Sequence, residues 1–355
     1  MAEPIAWDTA ERVAVRVAGR EPLAESYHYA SLAPDFHEFT AEAEALVEAE
    51  TGLKSLAGPA RARVTDRAGW IRANLASFRR LLRPLTDRLA ERMDNTKVAP
   101  VGRQIAGAEV GALLGWMSTR VLGQYDMLVI ENENPDDQDL VYYVGPNILA
   151  IEKRYGFPPR EFRLWLALHE VTHRMQFTGV PWLRPYFLSL VDDSLAHFDP
   201  DPKRLLESLK RAVGEARAGR NPLDEGGLVT VLASPEQQLV IQRIGGLMSV
   251  LEGHGDLIMD RAATERVPSA GRFSSVLHDR RQSKGAARMV QKLVGLEAKL
   301  RQYQEGEEFL HTLEEAGGEG IELLWRGPEY LPDLAEIRNP QRWLARVTEA
   351  TAASA

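Results

Sequence analysis

The sequence predicts a mostly helical protein of the α+β class that folds as a single unit. Three observations support these predictions about fold class and domain number. Apolar residues recur at helical spacing over long stretches, whereas two short runs between Asp126 and Val144 favour strands. With 44% hydrophobic residues among 355, the chain can bury a sizeable core. No repeat or flexible linker marks a boundary. We therefore expect a single unit over residues 1–355, with a helical N-terminal part to about residue 120 and a second part over about 121–355.

Helical patterns come first along the chain. Apolar positions have helical spacing over residues 36–49 and again over 70–93, where Pro84 should kink or break the helix. The strand-forming runs are residues 127–130 and 140–144, which are rich in β-prone side chains and are separated by a turn-rich stretch. These two runs predict a β-hairpin.

Two later helices have recognisable ends. Prolines at 158–159 suit a first helical turn and Gly179 suits a C-terminus, so the first of these helices should span about 160–177. Residues 234–237 combine an N-cap serine, a proline at the first helical position and a glutamine at the capping-box position. They predict a second helix that runs to about residue 261.

Composition and charge exclude several classes of function. The formal net charge of −8 argues against a nucleic-acid partner, because phosphate neutralisation needs a basic face. The absence of cysteine excludes disulfides, thiolate zinc sites and iron–sulfur clusters, so any metal must be bound by histidine and carboxylate. No window reaches the roughly 18 apolar residues of a membrane span, and the N-terminus lacks a signal-peptide pattern. We therefore expect a cytoplasmic protein with no membrane partner.

The main candidate for a functional site is the pentapeptide His169-Glu170-Val171-Thr172-His173. It lies inside the first of the two later helices. Residues four apart project from the same helix face, so both imidazoles can reach one metal ion while Glu170 lies beside it. Neutral imidazoles suit zinc, and the carboxylate can take a proton from a zinc-activated water. The alternative interpretation is a pair of structural histidines with a surface glutamate, and the position inside a capped helix counts against it.

A catalytic zinc site needs a third protein ligand, and residues 251–256 offer one. Glu252 and Asp256 share a helix face, so Glu252 can bind the metal while Asp256 accepts the outer N–H of a ligand histidine. His254 is the alternative metal ligand, although it points to nearly the opposite side of a regular helix. We interpret the neighbouring Gly253 as a sign of close packing against another helix rather than a hinge.

Motifs along most of the chain resemble a known family. The matching segments are residues 64–71, 115–118, 122–126, 168–183, 251–256, 302–303 and 325–332. They resemble the zincin-like metallopeptidases common in actinobacteria, which are labelled hydrolases and are associated with deazaflavin coenzyme biosynthesis. The resemblance implies a mostly helical zincin-like fold with a small β-hairpin or sheet beside the metal helix, and it assigns His169, Glu170 and His173 to that helix.

The resemblance also bears on the third ligand and on substrate binding. Glu252 and Asp256 match the Glu-x-x-x-Asp pattern of thermolysin-like gluzincins, at a longer interval from the metal helix than is usual in that group. Zincins place an edge strand beside the metal helix, where an extended peptide can pair with it. The run 140–144 is the candidate for that strand.

These features predict a zinc-dependent hydrolase, a metallopeptidase that cleaves an amide bond with a zinc-activated water and Glu170 as the general base. Zn²⁺ is the expected cofactor, and a peptide or a small amide is the expected substrate. Two alternatives stay open: a small-molecule amidase or other hydrolase with a closed pocket, and a non-catalytic binding protein that retains the metal site. The intact Glu170 counts against the second.

Overall fold

A computed structural model describes most of the chain, and its described residues divide into two compact units. The described residues are 3–21, 23, 25–83, 85–87, 99–127, 138–196, 234–263, 266–281, 296–317 and 320–354. The first unit, here called the sheet unit, comprises Met1–Gly179 and Met259–Phe273. The second, here called the helical unit, comprises Val180–Ile258 and Ser274–Ala355.

The described elements are mostly helical, which confirms the predicted fold class. In chain order they are α1 (Trp7–Ala18), α2 (Tyr29–Thr51), β1 (Arg61–Thr65), α3 (Arg67–Leu81), α4 (Ala99–Ser118), β2 (Gly123–Tyr125), β3 (Leu140–Val144), α5 (Gly145–Tyr155), α6 (Pro159–Gly179), α7 (Leu183–Ala196), α8 (Pro235–Ala263), α9 (Ala270–Arg281), α10 (Leu296–Glu315), α11 (Gly320–Leu324), a 3₁₀ turn (Pro328–Tyr330), α12 (Leu334–Ile337) and α13 (Pro340–Ser354). None of the described helices is long and apolar enough to cross a membrane.

A three-stranded mixed sheet lies at the centre of the sheet unit. The strand order is β1-β3-β2, with β1 parallel to β3 and β2 antiparallel to it. Every residue of β3 is buried. On one face Tyr143 stacks on Phe36 of α2 and bonds to Thr40 of the same helix, and Tyr125 meets Phe177 of α6. On the other face the end of β3 joins a core formed with α1, α3 and α4. The sheet is therefore covered by helices on both faces.

The sheet corrects two sequence-based expectations. The strand that pairs antiparallel with β3 is Gly123–Tyr125 and not residues 127–130, of which 128–130 lie outside the described residues. Strand β2 has only three residues, and the first is glycine, which is depleted in strands, so composition did not signal β2. The 140–144 strand itself is correct, but it is the central strand and not the edge strand beside α6, because β1 occupies its other side. Strand β1 gave a weak signal, because only Val64 and Thr65 of its five residues favour strands.

Helices α1 and α4 pack unusually closely, because small residues face one another. A Cβ added to each of three glycines of α4 would lie 2.3–2.5 Å from a backbone carbonyl oxygen at or just before α1. The pairs are Gly107 with Ala6, Gly111 with Ala10, and Gly115 with Ala14. The common spacing of four residues shows that the two helices run in the same direction. Any larger side chain on this stripe would force the helices apart.

Helix α6 is held in the sheet unit by two buried arginines. Arg163 makes two hydrogen bonds to Glu152 of α5, at 2.8 and 3.0 Å, and one to Asp35 of α2 at 2.6 Å. Arg174 bonds to Asp139, next to β3, and to Glu44 of α2. These charged groups are paired, as buried ions must be to offset desolvation. They fix the helix relative to the sheet at two points along its length.

In the helical unit, α8 begins with the predicted capping box. The Ser234 hydroxyl accepts from the Gln237 backbone N–H at 3.2 Å, and the Gln237 side chain accepts from the Ser234 N–H at 2.9 Å. Further along, a Cβ on Gly253 would lie 2.6 Å from the backbone of Gly306 in α10. The interpretation of Gly253 as a close-packing residue is therefore confirmed. Phe309, one turn beyond this crossing, lies in the core cluster of the unit.

Candidate metal centre

Two histidines of helix α6 are partly exposed, whereas the residues around them on the helix are buried. Between Phe162 and Thr178 every residue of the helix is buried except His169 and His173, which are partly exposed. Their ring centroids lie 4.7 Å apart with the ring planes at 85°. Residues four apart share a helix face, and the structure brings the two imidazoles together as the spacing predicts.

Glu252 of α8 is the third member of the group. One ligand atom from each of His169, His173 and Glu252 lies within 4.8 Å of the others. Within the described part of the chain, this is the set of histidine and carboxylate side chains that could hold a metal ion. Two imidazoles and one carboxylate are a donor set that catalytic zinc takes, with one position left open. The residues present therefore fit zinc by their chemistry.

A glutamine on the same helix orients one of the histidines. Nδ1 of His173 lies 3.0 Å from Oε1 of Gln176. An amide oxygen accepts, so this pairing would place the proton on Nδ1 and leave the lone pair of Nε2 for a metal. Gln176 is fully buried, so its own position is fixed by packing. This contact would hold the orientation of the His173 ring.

Glu170 lies between the two histidines in sequence and is itself almost buried, with 8% of its surface exposed. A Cβ on Gly123 of β2 would lie 2.6 Å from both Cγ and Oε1 of Glu170. Burial raises the pKa of Tyr143 well above its usual range, the hydrogen bond with Thr40 opposes the rise, and the negative charge of Glu170 adds to it. Tyr143 therefore stays neutral within reach of the Glu170 charge, and Gly123 lies directly against the Glu170 side chain.

Some backbone N–H and C=O groups of strand β2 point away from its partner strand β3. The Leu122 carbonyl accepts from the Val144 N–H at 2.8 Å, and the Asp126 N–H donates to the Leu140 carbonyl at 3.0 Å. In an antiparallel pair alternate residues make the ladder bonds, so the backbone groups of the residue between two bonding positions point away from the partner strand. The N–H and C=O of Gly123 therefore point away from β3, at the position that touches Glu170.

The side chain of Gln124 fixes the same strand from the opposite face. Its Oε1 accepts from the Trp70 indole N–H at 2.8 Å, and its Nε2 donates to Oδ1 of Asn74 at 3.1 Å. Trp70 and Asn74 are one turn apart on α3. The position of β2 is thus set by α3 as well as by β3.

The remaining residues of the predicted site lie on α8. His254 is buried, and its ring centroid lies 4.9 Å from that of Trp325 at an interplanar angle of 76°. Asp256 is partly exposed, one helical turn after Glu252. The grouping of ligand atoms includes Glu252 and not His254. The preference for Glu252 as the ligand and the role of Asp256 toward a ligand histidine stay predictions.

Sequence reasoning missed three residues that shape this site. Gln176 follows His173 by three positions, so helix geometry alone could have placed it near the ring. Gly123 and Gln124 lie in the segment 122–126 that carries the family resemblance, but no local pattern assigned them a role, because they reach the site through strand pairing and through α3. The missed residues lie around the candidate ligands and Glu170, whereas the recognised ones are the candidate donors and the candidate base themselves.

A His-Glu-x-x-His helix packed against a small mixed sheet, with a carboxylate completing a metal-binding group, defines the zincin class of metal-dependent hydrolases. The chain belongs to the zincin-like metallopeptidase family, whose model matches residues 5–344. This match covers nearly the whole chain, including both the sheet and the metal helix.

One solved structure extends this comparison. The chain is similar to a protein from Chloroflexus aurantiacus described as a "putative hydrolase with a novel fold", with 30% sequence identity and a TM-score of 0.71. The alignment covers 97% of this chain and 99% of that one. No curated protein matches the chain. Family and structural similarity together support a hydrolase.

Proposed function

We propose that the protein is a zinc-dependent hydrolase that cleaves amide bonds in peptides. His169, His173 and Glu252 would hold the metal, and Glu170 would act as the general base. The observation that carries the proposal is the convergence of the Glu252 carboxylate with two imidazoles, all within 4.8 Å of one another. The two imidazoles lie on the helix that also bears Glu170. Membership of the zincin-like family supports it. The association with deazaflavin coenzyme biosynthesis stays a prediction.

Zinc, when bound, would supply Lewis-acid chemistry, lowering the pKa of a coordinated water to roughly 7 and polarising the substrate carbonyl. The chain itself supplies the proton transfer. Glu170 follows His169 directly on α6, and its carboxylate can take the proton of the attacking water and pass it to the leaving nitrogen. Its burial limits competition from bulk water, and the neutral Tyr143 beside it adds no second charge.

The edge of β2 favours a peptide over a small amide as the substrate. Gly123 directs its backbone N–H and C=O away from β3, at the residue that touches Glu170. An extended peptide can add to such an edge through main-chain hydrogen bonds, which would bring its amide bonds beside the base. Strand β2 has three residues, so this pairing would be short, with side-chain contacts supplying the rest of the affinity.

The proposal is tested by incubating the zinc-loaded protein with a pool of short synthetic peptides and following cleavage by mass spectrometry. Cleavage should disappear after dialysis against a chelator and return when zinc is added. Glu170→Gln should keep the zinc and lose turnover by roughly a hundred- to ten-thousand-fold. The matched control is Glu161→Gln on the same helix, which should keep turnover. Cleavage that survives either the chelator or Glu170→Gln would contradict the proposal.

A further inference from the structure

Gly123 of strand β2 lies directly against the side chain of the proposed base. The three atoms nearest to a Cβ built on Gly123 all belong to Glu170: Cγ at 2.6 Å, Oε1 at 2.6 Å and Cδ at 2.8 Å. Gly123 has no left-handed backbone conformation that would require glycine. The reason for glycine at this position is therefore the space that the glutamate side chain occupies.

A side chain at position 123 would have to displace the Glu170 carboxylate. Because Cγ is itself only 2.6 Å from the added Cβ, rotation of the carboxylate about its terminal bonds does not remove the overlap. The χ1 angle of Glu170 has to change, and staggered side-chain wells lie about 120° apart. Such a change carries the carboxylate away from the position that it holds against Gly123.

The backbone on either side of this contact is held by several hydrogen bonds. Strand β2 is held by its ladder bonds to β3 and by the bonds of Gln124 to α3. Helix α6 is held one turn further along by the bonds of Arg174 to Asp139 and Glu44. A clash between these two elements is therefore relieved by the side chain and not by separation of strand from helix.

We propose that Gly123 is a positioning residue of the hydrolase, and that the absence of a side chain there is what allows the Glu170 carboxylate to occupy its working position. This inference rests on the proposed role of Glu170 as the base. Strand β2 would then have two roles. Its backbone would pair with a peptide substrate, and its glycine would leave room for the Glu170 side chain. The three atoms nearest to the added Cβ belong to Glu170 and not to the proposed zinc ligands, so a side chain at position 123 would act first on the base.

The test is a double-substitution cycle on turnover of a peptide cleaved by the zinc-loaded protein. Gly123→Ala should lower turnover by about a hundredfold or more, because a displacement of about 1 Å is enough for such a loss. Its zinc content should equal that of the unsubstituted protein. In the Glu170→Gln background, where the base is already lost, Gly123→Ala should lower turnover by less than about threefold.

A second cycle, on the melting temperature of the metal-free protein, needs no substrate. Gly123→Ala should lower the melting temperature in the presence of Glu170 and change it little in the Glu170→Ala background, because the three nearest atoms are then gone. The matched control is Gly145→Ala, whose Cβ would lie 2.7 Å from the Tyr29 ring. Gly145→Ala should change the melting temperature by the same amount whether position 170 is glutamate or alanine. If Gly123→Ala alone fails to fold, the double variant with Glu170→Ala should fold.

Three results would overturn the inference: a Gly123→Ala protein that keeps near-normal turnover while Glu170→Gln has lost it, equal melting losses in the two backgrounds, or a double variant that also fails to fold. A failure of the proposed function looks different. In that case Glu170→Gln itself would retain turnover, whereas the melting cycle would still report on the contact between the two residues.

Discussion

Replacing Arg174 should lower the free energy of unfolding by more than the loss of an exposed ion pair would. Its side chain is fully buried and makes four hydrogen bonds: two to Asp139 at 3.2 and 2.7 Å, one to Glu44 at 2.7 Å and one to the Gly58 carbonyl at 2.8 Å. Arg174→Met keeps much of the apolar stem but removes the cation. It leaves behind two carboxylates whose side chains are only 11% and 19% exposed.

Removing one partner of a buried ion pair costs about 3–5 kcal/mol, because the other charge stays buried without compensation. We expect a loss of this size in the free energy of unfolding for Arg174→Met, measured by urea denaturation with circular dichroism. The control is Arg72→Met, since Arg72 lies 3.9 Å from Glu11 with both side chains about half exposed, and exposed pairs contribute about 0–1 kcal/mol. A loss below about 1 kcal/mol for Arg174→Met would refute this reasoning.

The remaining predictions concern the metal centre. Glu252→Ala should weaken zinc binding strongly, whereas His254→Ala should leave zinc bound and instead reduce stability by opening the contact with Trp325. Competition with a chromophoric chelator measures both, and loss of zinc only in His254→Ala would reverse the ligand assignment. Gln176→Ala should lower zinc affinity by about ten- to a hundredfold, because the His173 ring loses the acceptor that fixes it. An unchanged affinity would show that packing alone orients that ring.

Local sequence signals predicted the elements that carry the donor atoms. The metal helix was expected over about 160–177 and is observed at Pro159–Gly179, because prolines and a glycine mark its ends. The capping box placed the start of α8 for the same reason. Helix periodicity then put His169 beside His173. These features depend on residues within a few positions of one another, so the chain itself reveals them.

Features that depend on contacts distant in sequence were not predictable in this way. Strand β2 has three residues, of which only Tyr125 favours a strand, and its pairing with β3 decides its conformation. The central place of β3 follows from β1, which lies about eighty residues earlier in the chain and pairs in parallel. The proximity of Gly123 to Glu170 depends on both. The edge strand beside the metal helix was therefore assigned to the wrong run, although the presence of a small sheet was predicted correctly.

The central claim is that two histidines of α6 and Glu252 hold one zinc ion, and metal content tests it most directly. Protein purified without chelators should contain about one zinc per chain by elemental analysis. His173→Ala should bring the content close to zero, whereas the control His311→Ala, an exposed histidine of α10, should leave it unchanged. A folded protein that contains no zinc and takes up none when zinc is added would contradict the account.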